Sequence, residues 1–227
     1  MTVTKRLVLL RHGQSEANVR RRLDTALPGA PLTELGHRQA AGFAAQWSNP
    51  VGLLVHSVAR RAIETAAEID AQLGIGAHEV AGIHEVQAGD LEGSERASDI
   101  ERFEDTYRQW QLGALDTAMP GGETGHQVLG RYVPVIDQLR LRHLDNHERA
   151  GDIVVVSHGA AIRLVAAQLA GVDPDFALEH HLANSECVVL SPITDGRWSC
   201  VQWGGFMPPF YPERAADQTG VAVDPMG

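Results

Sequence analysis

Two segments constrain the fold of this chain more than any others: Leu7–Gly13, LVLLRHG, and Ile153–Gly159, IVVVSHG. Each is a run of Leu, Val or Ile that ends in a polar residue, a histidine and a glycine. A strand that is apolar on both faces has no side to show to water, so it belongs in the middle of a parallel sheet covered above and below. Parallel neighbours need long crossovers, usually helical. Helices are expected over Thr33–Trp47, Arg60–Leu73, Ser98–Leu112, Glu123–His147 and Ala160–Ala170, with Pro134 kinking or splitting the fourth. Further strands are expected at Leu53–His56, Ala77–His84, Glu186–Leu190 and Trp198–Trp203, and Gln14–Pro31 reads as a loop. Alternating strands and helices predict an α/β fold, a three-layer α/β/α sandwich with a largely parallel central sheet.

The 227 residues suit one domain over 1–204 followed by a Pro/Gly-rich tail, 205–227, either disordered or packed as an extended arm. A net charge of −10 argues against a general nucleic-acid binder but leaves room for a local basic pocket. No apolar run has membrane-spanning length and no secretory leader is evident, so a cytoplasmic protein is expected. The two cysteines, Cys187 and Cys200, fit reduced, inert thiols. His143 and His147 have i, i+4 spacing without a third ligand and read as a solvated helix face; His180 and His181 read as surface. No metal and no cofactor are expected.

Ligands of open α/β sheets bind beyond the carboxyl ends of the strands. If the two apolar strands are neighbours, His12 and His158 meet at that edge, and Gly13 and Gly159 let a ligand approach the backbone. The helix beginning near Ala160 turns its free N–H groups to the same edge, which favours an anion. Arg60 and Arg61 open a helix just after another strand, where a cation opposes the helix dipole unless at least one of them faces a bound anion. Arginine forks pair with phosphate oxygens. Two histidines and two arginines around one site describe a phosphate pocket.

In this order and spacing the residues resemble the histidine phosphatase superfamily, in particular the small members of its branch 1, the phosphoglycerate mutase-like family. The matching blocks are RHGQSEAN (Arg11–Asn18), PLTELGHRQA (Pro31–Ala40), RRAIETA (Arg60–Ala66), HEVQAGDLEG (His84–Gly93), PGGET and VVVSHG. The loop Val19–Gly29 departs from the pattern: it lacks the usual Gln-Gly step and carries Arg20, Arg21 and Arg22. The long insertion with which mutases enclose a bisphosphate is absent.

The resemblance implies a phosphoglycerate mutase-like fold and a metal-independent phosphatase acting through phosphohistidine on a small phosphorylated metabolite. His12 is then the nucleophile, with its other ring nitrogen held as N–H by a backbone carbonyl. Arg11, Arg61, Asn18, His158 and Gly159 bind the phosphoryl group, His158 as a protonated donor. Glu85 is the general acid, ahead of the nearby Asp90 and Glu92. Two other readings share the residues: a mutase, and a non-catalytic phospho-ligand module, which would not need the acid. Arg20–Arg22 are either solvated or hold a second anionic group at the pocket mouth. A homodimer would use an edge strand or the tail.

Overall fold

The computed structural model describes residues 5–211. Strands β1 (Leu7–Arg11), β2 (Val51–His56), β3 (Ala77–Glu79), β4 (Asp152–Ser157), β5 (Cys187–Pro192) and β6 (Trp198–Trp203) form one sheet in the order β3-β2-β4-β1-β5-β6. The first four in that order run parallel; β5 pairs antiparallel with both β1 and β6. β1 and β4 are direct neighbours with Arg11 opposite Ser157. The histidine that follows each strand therefore emerges at the same sheet edge.

Helices α1 (Glu16–Arg20), α2 (Glu34–Gln46), α3 (Arg60–Leu73), α4 (Ala97–Gln111), α5 (Gly125–Leu139), α6 (Gly159–Ala170) and α7 (Pro174–Glu179) complete the fold. Every residue of β1 and β4 is buried, which is why both segments read as unbroken apolar runs. Their side chains alternate between two cores. Val8, Leu10, Val154 and Val156 face α2 and α3 through Ala44, Ala62, Ala66 and Ile69. Leu7, Leu9, Ile153 and Val155 face Phe103, Tyr107, Trp110, Tyr132 and Ile136 of α4 and α5 and the apolar side of α6. Each such side chain contributes about 1.5–3 kcal/mol on burial, so the two cores fix the sheet between helical layers. The expected three-layer α/β/α sandwich is observed.

Several expectations need correction. Gln14–Pro31 is not all loop: Ser15 and Asn18 build a reciprocal capping box that starts α1. The strand from Ala77 stops at Glu79, and Gly82, at φ 92°, turns the chain under α5. Pro134 does not split its helix. α5 runs through it and widens into a π-helical turn at Arg140–Leu144. The carbonyl that Pro134 leaves without a donor belongs to exposed Gly130, where water can serve it. α7 was not anticipated; Asp173 caps it, with Pro174 at its first position.

His143 is buried, with Nε2 3.2 Å from the Gly151 carbonyl, while His147 lies in an exposed turn beyond the helix, so the pair shares no solvated face. His180 is buried too, stacked on Phe176 with ring centroids 4.0 Å apart. Cys187 and Cys200 are buried free thiols, each pushed up to about 12 chiefly by burial. The tail packs as an arm as far as residue 211, with Phe206 and Phe210 against Phe176; residues 212–227, the rest of the expected tail, lie outside the described residues. Among the described residues no helix is long and apolar enough to cross a membrane.

Candidate active site

The turn after β1 is held by backbone. His12 N donates to the Ser157 carbonyl at 3.0 Å, and Gly13 N donates to Thr65 Oγ1 at 3.0 Å. Gly13 and Gly36 touch main chain to main chain: a Cβ on Gly13 would collide with the Gly36 carbonyl, and one on Gly36 with the Gln14 carbonyl. Thr33, which caps α2, also donates its N–H to the Gln14 carbonyl at 2.8 Å. The PLTELGH block thus braces the loop that carries the histidine.

The His12 ring is buried. Its Nδ1 lies 2.7 Å from the Gly13 carbonyl, which can only accept, so the proton is assigned to Nδ1 and Nε2 is left with a lone pair. Arg61 Nε donates to that Nε2 at 3.0 Å. Burial, then the Arg61 and Arg11 guanidiniums, hold the His12 imidazole well below its usual range, in the neutral form a nucleophile needs. His158 meets His12 edge-on, with centroids 5.3 Å apart, and its Nε2 is 2.8 Å from Ser57 Oγ. Burial, with Arg61 and His12 beside it, pushes His158 down as well. The protonated His158 of the sequence reading is therefore not the form these surroundings favour.

Arg60 and Arg61 separate cleanly. Arg60 is exposed and pairs with Glu64 at 2.7 Å; Arg61 turns inward and is 3% exposed. Besides His12, Arg61 holds Asp24, Nη1 to Oδ2 at 3.2 Å. Arg11 is buried behind the histidine, with Nη1 donating to the Leu182 carbonyl at 2.6 Å. Asn18 lines the cleft; its Oδ1 accepts from Ser15 N at 2.9 Å and from Asn184 Nδ2 at 3.1 Å. Gly159 begins α6 and is buried.

Glu85 forms the cleft wall with His12, Arg61 and Asp24. Its carboxylate accepts from Val86 N at 2.8 Å, Ala161 N at 2.9 Å and Ala160 N at 3.3 Å. Burial nevertheless raises its pKa from the ordinary carboxylate value and outweighs these donors and Arg61. Arg131 sets its position. The guanidinium donates to the carbonyls of Gly82, His84 and Glu85 and is itself held by Glu123 at 2.7 Å, the acid of the PGGET turn. The two alternative acids are structural: Glu92 accepts from Thr25 N and Oγ1, and Asp90 packs against Gly121. The enclosed cleft measures about 10 Å³, roughly the space of one water.

The structure thus gathers His12, Arg61, Glu85 and Asn18 around one cleft, with His158, Arg11 and Gly159 behind its wall. Sequence reading missed Asp24, Ser57, Thr65, Arg131 and Asn184. They act across the fold, over separations that local pattern does not reveal. Among the described residues no three His, Cys, Asp or Glu side chains group to hold a metal ion.

Residues 7–205 match the model of the family described as "Histidine phosphatase superfamily (branch 1)". The chain belongs to the histidine phosphatase superfamily, branch 1. Its expected character, a metal-independent phosphatase working through phosphohistidine, agrees with that membership. This histidine phosphatase is 30% identical over 174 residues to a glucosyl-3-phosphoglycerate phosphatase of Mycolicibacterium vanbaalenii, covering 75% of the chain and 76% of the relative. A 2,3-bisphosphoglycerate-dependent phosphoglycerate mutase of Methylorubrum extorquens is 32% identical, covering 73% of the chain and 79% of the mutase. The chain also spans 36% of the length of a Mycobacterium tuberculosis PE-PGRS family protein, at 28% identity over 86% of itself. A mycobacterial glucosyl-3-phosphoglycerate phosphatase solved with VO3 superposes with a TM-score of 0.73 at 28% identity, over 88% of this chain and 98% of that one.

Proposed function

We propose that this histidine phosphatase hydrolyses small phosphomonoesters with His12 as nucleophile and Glu85 as the proton donor and acceptor. The observation that carries the assignment is the pairing of Nδ1–H with the Gly13 carbonyl, which leaves the Nε2 lone pair beside Arg61 and in the same cleft as a buried carboxyl. Nε2 attacks phosphorus in line, the P–O ester bond breaks, and the Glu85 proton goes to the departing alkoxide. Glu85, now a carboxylate, takes a proton from water. The water oxygen then displaces Nε2, which leaves with its electron pair and restores neutral His12. Products are the alcohol and inorganic phosphate.

The phosphoryl oxygens fall to Arg61, Arg11, Asn18 and the first turn of α6 at Gly159, an arrangement of fixed charge and position, which is the main work of phosphoryl transfer. Arg61 then passes from Nε2 and Asp24 to the phosphate. His158 has a buried Nδ1 with no hydrogen-bond partner among the described residues, a cost that donation to a phosphoryl oxygen would relieve. The relative named as a glucosyl-3-phosphoglycerate phosphatase supports trying phosphorylated sugars and organic acids first.

The test is phosphate release from p-nitrophenyl phosphate and a panel of alkyl phosphates in chelator, with acid-stable product analysis to detect isomerisation. His12→Ala should abolish turnover and rapid-quench labelling of the protein with phosphate. Labelling that survives the substitution removes His12 from the chemistry.

A further inference from the structure

The three consecutive arginines of the sequence part company in the fold. Arg20 ends α1 and Arg21 caps it in the left-handed region at φ 54°. Arg22 instead reaches the wall of the catalytic cleft, beside Asn18, Asp24 and Glu85. Its guanidinium lies against Gly93, where a Cβ would stand 2.9 Å from Nη2. Two backbone hydrogen bonds hold that approach: Leu23 N to the Ser94 carbonyl at 3.0 Å and Gly93 N to the Leu23 carbonyl at 2.8 Å.

Three acids near it, Asp24, Glu92 and Glu85, have other partners. Asp24 Oδ2 holds Arg61 and the Ala30 N–H, Glu92 holds Thr25, and Glu85 holds the first turn of α6. Arg6, Arg61 and Arg131 each keep a carboxylate partner, but among the described residues no carboxylate lies within ion-pair distance of Arg22. In the hydrolase reading the phosphoryl group at His12 is already served by Arg61, with Arg11 behind the wall. A further cation, fixed by a glycine and left without a counter-ion at the rim, is placed for a charge on the rest of the substrate.

We infer that Arg22 binds a second anionic group on the leaving alcohol, a carboxylate or a second phosphate, and so selects acidic phosphomonoesters over neutral ones. The planar fork takes two oxygens of either group side by side. This rests on the hydrolase reading, with phosphate at His12 and the leaving group directed to the rim.

The measurement is the ratio of kcat/KM within matched pairs: 3-phosphoglycerate against glycerol 3-phosphate for the carboxylate, and fructose 1,6-bisphosphate against fructose 6-phosphate for the second phosphate. The wild-type protein should favour the acidic member of one pair, and the pair it favours names the group. Arg22→Gln should cut that ratio about tenfold to a hundredfold, mostly through KM, as expected for loss of charge-assisted hydrogen bonds. Arg22→Lys should restore part of it, and Arg20→Gln, away from the cleft, should leave it alone. An unchanged ratio in Arg22→Gln, or no preference in the wild type, overturns the inference while the hydrolase stands. Absence of phosphate release from every ester, p-nitrophenyl phosphate included, overturns the hydrolase reading and this one with it.

Discussion

In the proposed mechanism Glu85 has the heaviest demand in the cleft, because one carboxyl must give a proton to an alkoxide and later take one from water. Glu85→Gln keeps its shape and removes that capacity. The amide oxygen can still accept from Val86 N and Ala161 N, now at 2.8 and 2.9 Å, while the amide nitrogen replaces the oxygen that faces Ala160 N at 3.3 Å. One donor then faces another, at a cost of about 1–3 kcal/mol. In a domain of this size that lowers Tm by roughly 2–4 °C per kcal/mol. The chemical loss is larger: removing a general acid–base group costs about 10²–10⁴ in rate, or about 3–5 kcal/mol of barrier.

The two half-reactions should separate by leaving group. A p-nitrophenoxide departs without a proton, so Glu85→Gln should still form phosphohistidine from p-nitrophenyl phosphate and stall at its hydrolysis, which needs the base. Stopped flow should show a burst of p-nitrophenol stoichiometric with protein, then slow turnover. An alkyl phosphate, whose leaving group needs the proton, should show no burst. Turnover of the alkyl ester within about threefold of wild type, far short of a general-acid effect, would refute the assignment and return the role to Asp90 or Glu92.

Three further outcomes follow from the same geometry. kcat/KM should fall on the acid side as His12 gains a proton, at a midpoint below the ordinary 6.5 because the folded pocket depresses it, and fall again as pH rises and Glu85 loses its proton, at a midpoint above the ordinary 4.5; a pH–rate profile in constant ionic strength checks both limbs. Asp24→Asn removes the charged competitor for Arg61 Nη1, so inorganic phosphate and vanadate should inhibit at about tenfold lower concentration, the scale of about 1.4 kcal/mol; weaker inhibition would mean that Asp24 orients Arg61 for the ligand. Gly36→Ala drives a Cβ into the Gln14 carbonyl, main chain that cannot step aside, so a loss of about 1–3 kcal/mol in urea melts and a fall in kcat together are expected, whereas Gly130→Ala, on an open helix surface, should melt no lower than wild type.

The readable parts of this fold are those whose physics is local. LVLLR and IVVVS announce buried parallel strands because both faces of each are covered, and the histidine after each strand follows from that placement. Arg60–Leu73 was legible from its alanines and from Gly74, which ends it at φ 63°. What could not be read was settled across long separations. Pro134 argues for a break, but the burial of Val128, Tyr132 and Ile136 along one face holds α5 together. His143 looks like a surface residue until the Gly151 turn folds against it. Arg60 and Arg61 are equivalent as letters, and only the position of the sheet decides which points inward. The residues that orient the site, Ser57 on His158 and Arg131 on the Glu85 segment, act over separations of 101 and 46 residues.

The start of α6 shows how that long-range placement changes the chemistry. From sequence, its free N–H groups favour an anion, and the anion that takes two of them is the Glu85 carboxylate. The acid is therefore pulled in two directions. Burial favours the protonated form, and an arriving phosphate dianion would push the same way, so both favour a proton on Glu85 as the ester binds. Once it has gone to the leaving group, Glu85 is charged, and that is the form the helix N-terminus, Val86 N–H and Arg61 stabilise. The same contacts that make the carboxylate a tolerable product also keep it from being a strong base. In the proposed cycle, hydrolysis of phosphohistidine, the step that needs the base, should then be the slower half, and alkyl phosphates of differing leaving-group basicity should converge on one kcat while differing in kcat/KM.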